Sequence, residues 1–110
     1  MPSDHFEALR QELRRGALSL AVLAHLKREH YGYTLRKALL EQGVDIDEGT
    51  LYPLLRRLES QGLLKSKWRE ENKRNKRFYR LAPEGERLLD DLVAEWRGLN
   101  DSLERILEEN

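Results

Sequence analysis

The chain has 110 residues, which is the size of one compact domain. Its 20 Lys and Arg residues balance 20 Asp and Glu residues, so the formal net charge of zero gives no direct sign of a nucleic-acid partner. Cysteine is absent, which excludes disulfides, thiolate zinc sites and a cysteine nucleophile, and suits a reducing cytoplasm. No apolar run approaches the roughly 18 residues of a membrane span. We therefore expect a cytoplasmic protein with no membrane segment.

Leucine dominates the apolar residues and predicts a mainly α-helical fold. There are 22 leucines but only 7 Val, Ile and Thr residues together. Leucine favours helices, whereas β-branched side chains favour strands. Leu, Ile, Val and Phe make 29 residues, which is enough apolar material for a folded core and argues against disorder.

Apolar stripes and turn residues predict the first two helices. The first starts near residue 3 or 4 and runs to about Glu29. It is apolar on two faces over residues 17–26, which places it at the centre of the fold. After a tight link, a second helix covers about Tyr33 to Glu41 and is ended by Gly43.

A third helix is predicted over about residues 49–60, with Asp47 as its cap. Four leucines at i, i+3, i+4 and i+7 form its apolar stripe: Leu51, Leu54, Leu55 and Leu58. At about 100° per residue, the opposite face carries polar and basic side chains. That face holds Gly49, Tyr52, Pro53, Arg56 and Ser60, with Thr50 and Arg57 at its edge.

Two extended runs, Leu63–Trp68 and Lys76–Leu81, predict a β-hairpin. The polar segment of residues 69–75 between them is expected to form a long, solvated tip. Trp68 and Tyr79 are expected to pack together at the base of this hairpin.

The last predicted helix begins at Pro83, a residue favoured in a first helical turn, and runs to about Glu108. Its apolar residues recur at spacings of 3 and 4, which makes a heptad-type seam. Because no element is left in this domain to cover the seam, it predicts dimerisation. The seam residues are Leu89, Leu92, Trp96, Leu99, Leu103 and Ile106.

In this order the elements predict a winged helix-turn-helix over residues 4–82 and a C-terminal dimerisation helix over residues 83–108. The fold class is therefore mainly α with a small β-hairpin. The major groove of DNA admits one α-helix, and a cationic hairpin can lie along the neighbouring backbone. The expected partners are double-stranded DNA and a second copy of the chain.

Several motifs resemble the PadR family of bacterial transcriptional regulators, in particular its compact subfamily. They are YGYTLRKAL (31–39), GTLYPLLRRLESQGLL (49–64), Trp68 and KRFYRLAPEG (76–85). The resemblance covers about residues 10–107 and implies a homodimeric repressor that binds an operator and is induced by small ligands. Ala82 departs from the family pattern, since a Thr or Ser cap is common there.

Seven residues are the candidates for DNA contact, although a charged helix face or loop can also be merely solvated. Thr50 and Tyr52 suit phosphates rather than bases, because most such contacts position the protein. The hairpin contributes three cations that suit phosphate. The full set is Thr50, Tyr52, Arg56, Arg57, Lys73, Arg74 and Arg77.

Trp96 has two interpretations. It either fills space in the dimer core, or faces its mate across a two-fold axis and holds a planar aromatic, phenolic or cationic ligand. We expect no enzyme activity, cofactor or metal site, since no catalytic constellation or phosphate loop occurs and His25 and His30 do not share a helical face. The alternative function is a winged-helix module that binds protein rather than DNA.

The neutral total conceals two opposed charges. Residues 52–80 hold ten Lys and Arg against three Asp and Glu, whereas residues 81–110 hold three against nine. The basic block is the third helix with the hairpin, and the acidic block is the last helix. The zero net charge therefore does not argue against a DNA partner.

Overall fold

The computed structural model describes residues 3–109 and is built of four helices and one antiparallel hairpin, which confirms the predicted fold class. Within these residues no helix is both long and apolar enough to cross a membrane. In chain order the elements are α1 (Asp4–His25), α2 (Gly32–Glu41), α3 (Glu48–Ser60), β1 (Leu64–Glu71), β2 (Arg74–Leu81) and α4 (Pro83–Glu108).

Helix α1 begins as predicted and ends one turn early. The Ser3 hydroxyl accepts a hydrogen bond from the Phe6 N–H at 3.0 Å, which caps the first turn. The predicted end at Glu29 is wrong, because the helix stops at His25. The reason lies in the hairpin: His30 N–H donates to the Tyr79 carbonyl at 3.0 Å, and Tyr79 N–H donates back at 2.8 Å. This pairing needs extended backbone at His30, so the helix cannot reach that far.

Helices α2 and α3 form the helix-turn-helix. The chain turns between them at Gly43, whose φ of +87° lies in the left-handed region that favours glycine. Asp47 stands at the N-cap position of α3, as predicted. All four leucines of the predicted α3 stripe are buried, so its outward face is also the predicted one.

One apolar core joins all the elements. Residues 17–26, which were expected at the centre of the fold, reach the core only in part. Val22, Leu23 and Leu26 are fully buried, whereas Ala17 and Ala24 are exposed. Each fully buried leucine contributes about 1.5–3 kcal/mol relative to an exposed one. The core comprises Val22, Leu23, Leu26, Leu35, Leu39, Ile46, Leu51, Leu54, Leu55, Leu58, Leu64, Tyr79, Leu81 and Leu89.

The hairpin is longer than predicted and its tip is shorter. The expected loop over residues 69–75 is wrong, since pairing continues to Glu71 and Arg74. A two-residue turn closes the ribbon at Asn72 and Lys73, with φ of 52° and 64°. Positive φ at both central residues is the two-residue hairpin geometry that matches strand twist, and Asn suits it. The charged residues fit in strands here because the outer part of the hairpin is exposed to water.

Helix α4 is anchored at its N-terminal end. Gly85 lies directly against the Leu63 carbonyl, and Leu89 is 1% exposed. From Leu92 onward the large apolar side chains of the helix are exposed. The radius of gyration is 16.2 Å, against about 13 Å for a compact domain of this length. The chain is therefore elongated, and the second half of α4 lies outside the core.

Candidate nucleic-acid interface

The exposed face of α3 carries two arginines that form no ion pair. Arg56 and Arg57 are both exposed, and no carboxylate of residues 3–109 lies within 4 Å of either guanidinium. The buried leucines of α3 fix this orientation, because they turn the opposite face outward. Both arginines are therefore available to an anionic partner.

Thr50 lies exposed at the start of α3 and is tied to the N-cap residue. Its hydroxyl donates to Asp47 Oδ1 at 2.6 Å. This hydrogen bond is the main reason that the pKa of Asp47 lies below its ordinary value. The hydroxyl proton of Thr50 is thus already donated to a carboxylate, and a phosphate oxygen can only accept. The negative charge of Asp47 also repels a phosphate, so Thr50 suits a phosphate less well than the arginines do.

Tyr52 is half-buried between α2 and α3. Its ring lies so close to Gly32 that a Cβ there would come within 2.7 Å of Cζ and would overlap the hydroxyl. Gly32 therefore permits the close approach of the two helices, and Tyr52 lies at the floor of the interface rather than at its outer edge.

The hairpin of β1 and β2 is the wing of the winged helix. Its tip carries a second pair of cations without ion pairs among the described residues. Lys73 and Arg74 are exposed at the two-residue turn, and neither has a carboxylate within 4 Å among the described residues. The short turn holds both side chains at the end of a regular ribbon. The wing tip is thus a compact cationic point and not a long, solvated loop.

Arg77, the third predicted cation of the hairpin, is engaged with α3 and with the neighbouring strand. Its Nη2 donates to Glu59 Oε1 at 2.6 Å and its Nε donates to Ser66 Oγ at 2.9 Å. The Ser66 hydroxyl in turn donates to Glu59 Oε2. Because Glu59 belongs to α3 and the other two residues to the strands, this triad fixes the wing against the helix.

A second cluster holds the wing from the other side. Glu29 accepts from Arg69 at 2.9 Å and pairs with Lys67 at 3.7 Å. The hydrogen bond from Arg69 is the main reason that the pKa of Glu29 is lowered. Arg69 also lies over the Phe78 ring, with Cζ 3.8 Å from the centroid. The two clusters therefore tie one face of the wing to α3 and the other face to the link between α1 and α2.

Trp68 and Tyr79 do not share the environment predicted for them. Tyr79 is 5% exposed and belongs to the core, as predicted. Trp68 is 64% exposed, so its predicted place in the packed base of the wing is wrong. The reason is its register: Trp68 pairs with Arg77, which already lies beyond the part of the hairpin that the core covers.

The predicted dimer seam is exposed except at one end. Leu89 lies in the core of its own chain and is not available to a partner. The other seam residues are 37–59% exposed, namely Leu92, Trp96, Leu99, Leu103 and Ile106. Helix α1 adds three exposed apolar side chains near its N-terminus, namely Phe6, Leu9 and Leu13.

Sequence reasoning missed Glu59, Ser66 and Glu29 as residues that shape the interface. Each bridges elements that are distant along the chain, and no periodic pattern marks such a pair. The only available signal was the pairing register of the hairpin, which places Arg77 and Ser66 on the same face as Tyr79.

These features define a winged helix-turn-helix with a cationic face formed by α3 and the wing. Residues 22–91 match the family model described as "Transcriptional regulator PadR-like family". The chain is also 39% identical over 82 residues to the transcriptional regulator Rv3488 of Mycobacterium tuberculosis, covering 74% of this chain and 77% of that protein. The chain belongs to the PadR-like family of transcriptional regulators.

Solved structures agree with this assignment over nearly the whole chain. A PadR family transcriptional regulator from Eggerthella lenta is 44% identical, with a TM-score of 0.90 over 97% of this chain and 96% of that one. A PadR-like transcription factor from Bacteroides fragilis is 33% identical, with a TM-score of 0.77 over 90% and 98%. The winged-helix architecture and α4 are therefore shared with proteins described as transcriptional regulators.

Proposed function

We propose that this protein is a homodimeric repressor that binds a specific double-stranded operator through α3 and the wing. The observation that carries this proposal is a set of cations with no carboxylate partner in the described part of the chain, at the two places where a winged helix meets DNA. Arg56 and Arg57 lie on α3, and Lys73 and Arg74 lie at the wing tip. By contrast, Arg69, Lys76 and Arg77 each pair with a carboxylate of the same chain, namely Glu29, Glu71 and Glu59. Unpaired cations gain most from phosphate, since no internal ion pair has to break.

In this proposal α3 enters the major groove and the wing tip follows the adjacent backbone. Arg56 and Arg57 reach base edges or phosphates, and Lys73 and Arg74 contact phosphates. Arg77 acts through its contacts with Glu59 and Ser66, which set the angle of the wing. In this proposal Arg77 positions the wing and does not contact phosphate, which was its predicted role.

The exposed stripe on α4 supports dimerisation. Such a stripe is unusual on a monomer, because contiguous apolar surface of that extent marks an interaction site. Two copies paired along it would hold their recognition helices about 34 Å apart, one turn of DNA. In this proposal the exposed apolar residues at the start of α1 also join the interface and increase the apolar area that the dimer buries.

Trp96 is the proposed ligand-responsive residue. It is 47% exposed in the middle of the seam, so pairing across a two-fold axis brings two indoles together. A planar aromatic or cationic molecule could bind between them. It would change operator affinity only if it bound more tightly to a dimer with one spacing of the recognition helices than to a dimer with another spacing. With a Trp68→Phe variant, a planar aromatic dye should quench the remaining Trp96 emission. Unchanged emission would leave Trp96 as dimer core only.

Selection of duplexes from a randomised library tests the main proposal. We expect the protein to enrich a two-fold symmetric sequence with half-sites about one helical turn apart. Arg56→Gln with Arg57→Gln should abolish the enrichment, while Glu41→Gln at the exposed end of α2 should not. A library that stays unenriched at low salt would favour the alternative, a winged-helix module that binds protein.

A further inference from the structure

The exposed indole of Trp68 lies beside a cleft between the wing, α3 and the N-terminal end of α2. Gly32, Tyr52, Arg56, Asn75 and Lys76 also line this cleft. Its walls thus combine aromatic rings, an amide and cations. Trp68 is 64% exposed, so most of its indole is open to solvent.

Arg77 lies next to the indole of Trp68. The Arg77 guanidinium carbon lies 5.7 Å from the centre of the Trp68 ring and 5.4 Å from that of Tyr79. Arg77 is itself held by Glu59 and Ser66 at 2.6 and 2.9 Å. The indole therefore has one restrained cationic neighbour, while most of its surface stays open to a partner.

The chemistry of the cleft fits one strand of a nucleic-acid duplex. A strand presents alternating phosphates and apolar sugar edges, and it needs cations and flat apolar surfaces at a matching spacing. Arg56 has no carboxylate partner among residues 3–109, so it is available to a phosphate. The indole of Trp68 in the same cleft offers the apolar surface. A site that bound phosphate through charge alone would not need an exposed indole.

We propose that this cleft receives one strand of bound duplex DNA, with Trp68 packed against a deoxyribose and Arg56 paired with a flanking phosphate. The proposal rests on the DNA-binding function proposed above and adds to it a contact of a different kind. Trp68 contributes affinity through burial of apolar surface and carries no charge. Its contribution is therefore separable from that of the cations by the salt dependence of binding.

A fluorescence titration tests whether Trp68 meets DNA. In the Trp96→Phe protein Trp68 is the only tryptophan, because the chain has two. Adding a 30-base-pair duplex chosen by the selection above should quench this emission and saturate together with the anisotropy of the labelled duplex. Unchanged emission at saturating DNA would overturn the proposal. Quenching by protein concentration alone, without DNA, would assign the indole to a contact between copies and would overturn it equally.

Variants in the same background separate this contact from the general DNA affinity. Trp68→Ala should weaken binding about tenfold, as the loss of one aromatic stacking contact does, and Trp68→Phe should weaken it less. The slope of log affinity against log salt should stay unchanged in both variants, whereas Arg56→Gln should lower it by about 0.9. Leu40→Ala, which removes an exposed apolar side chain from α2, is the control and should bind normally.

The possible failures are distinct. A duplex that does not bind the Trp96→Phe protein or the unaltered protein at any salt concentration would refute the DNA-binding function and this contact together. Salt-dependent binding that is equally tight in Trp68→Ala would refute the contact alone. Trp68→Phe guards against loss of folding, since it keeps an aromatic ring in the strand.

Discussion

His30 couples the stability of the protein to pH near neutrality. It lies half-buried at the link between α1 and α2, where Nδ1 meets the Thr34 hydroxyl at 3.1 Å. Burial lowers the pKa of His30 below its ordinary value of 6.5, and the nearby His25 and Arg28 act in the same direction. The folded protein thus favours the neutral ring, whereas the unfolded chain takes up the proton more readily.

The sign of the pH dependence follows. The stability due to neutral His30 is present above the ordinary pKa of histidine and is lost as the pH falls below it. We expect the free energy of unfolding to decline between about pH 7 and pH 5, and His30→Asn to remove that part of the decline. Urea denaturation at a series of pH values measures this. An identical pH profile in the variant would show that His30 does not contribute.

Glu59→Gln tests the triad that fixes the wing. The variant keeps the shape of the side chain and weakens its bond to Arg77, in a pair whose side chains are 35% and 26% exposed. We expect a loss of about 1 kcal/mol in unfolding free energy, since partial exposure screens the pair. Operator affinity should also fall, because the wing is held less firmly. The matched change Glu41→Gln, at an exposed residue that pairs with no cation among residues 3–109, should alter neither quantity.

At the scale of single residues, the sequence indicated which side chains are cationic. It did not indicate which of them are left without an ion pair in the folded chain. The periodicity of α3 placed Arg56 and Arg57 outward, because one helix determines its own faces. Whether Arg77 faces a partner or an internal carboxylate depends on Glu59 from another element, and only the assembled fold shows it. Trp68 was misjudged for a similar reason, since the extent of the core along the hairpin is a tertiary property.

At the scale of elements, the contact between α4 and the wing depends on a glycine. A Cβ at Gly85 would overlap the Leu63 carbonyl and approach Leu81 Cδ2 to 3.1 Å. Because the first of these atoms is backbone, relief requires α4 to move. We expect Gly85→Ala to destabilise the protein by about 1–3 kcal/mol, as overpacking does.

Gly98 is the matched control in the same helix. Nothing lies within 4 Å of a Cβ built there, so Gly98→Ala should instead stabilise the protein by up to about 1 kcal/mol through helix propensity. Thermal unfolding of both variants measures the difference. Equal effects of the two substitutions would contradict the tight contact at Gly85.

The elements themselves followed closely from the sequence. Leucine spacing located α3 and α4 to within a residue or two, because amphipathic periodicity is a property of each helix alone. The end of α1 and the length of the hairpin did not follow. The end of α1 depends on the long-range pairing of His30 with Tyr79. The length of the hairpin depends on a local pairing of Glu71 with Arg74 across a turn of Asn and Lys, which the polar sequence did not mark.

At the scale of the whole molecule, the exposed stripe on α4 predicts how the chain assembles. Leu99 lies in that stripe and is 59% exposed, and Leu40 on α2 has the same exposed fraction. We expect Leu99→Glu to shift the protein from dimer to monomer in analytical ultracentrifugation, since two carboxylates would face each other across the seam. Leu40→Glu should leave the dimer intact. Equal behaviour of the two variants would place the interface elsewhere.

The distribution of charge gives the assembled protein a polarity. The basic block of residues 52–80 contains α3 and most of the hairpin, and the acidic block of residues 81–110 contains α4. The acidic helix is repelled by phosphate, so the pair of blocks orients the molecule on approach. Replacing acidic residues of α4 by their amides makes the protein net positive, so the association rate with DNA should rise at low salt and fall more steeply as salt is added. An unchanged rate would show that α4 does not affect the approach.

The salt dependence of operator affinity tests the central claim most directly. We expect log affinity to fall linearly with log salt, and Arg56→Gln and Lys73→Gln each to lower the slope by about 0.9. Arg97→Gln, which removes a cation from α4, should leave the slope unchanged. Equal slopes in all four proteins, or no binding to any duplex at low salt, would contradict a DNA interface formed by α3 and the wing tip.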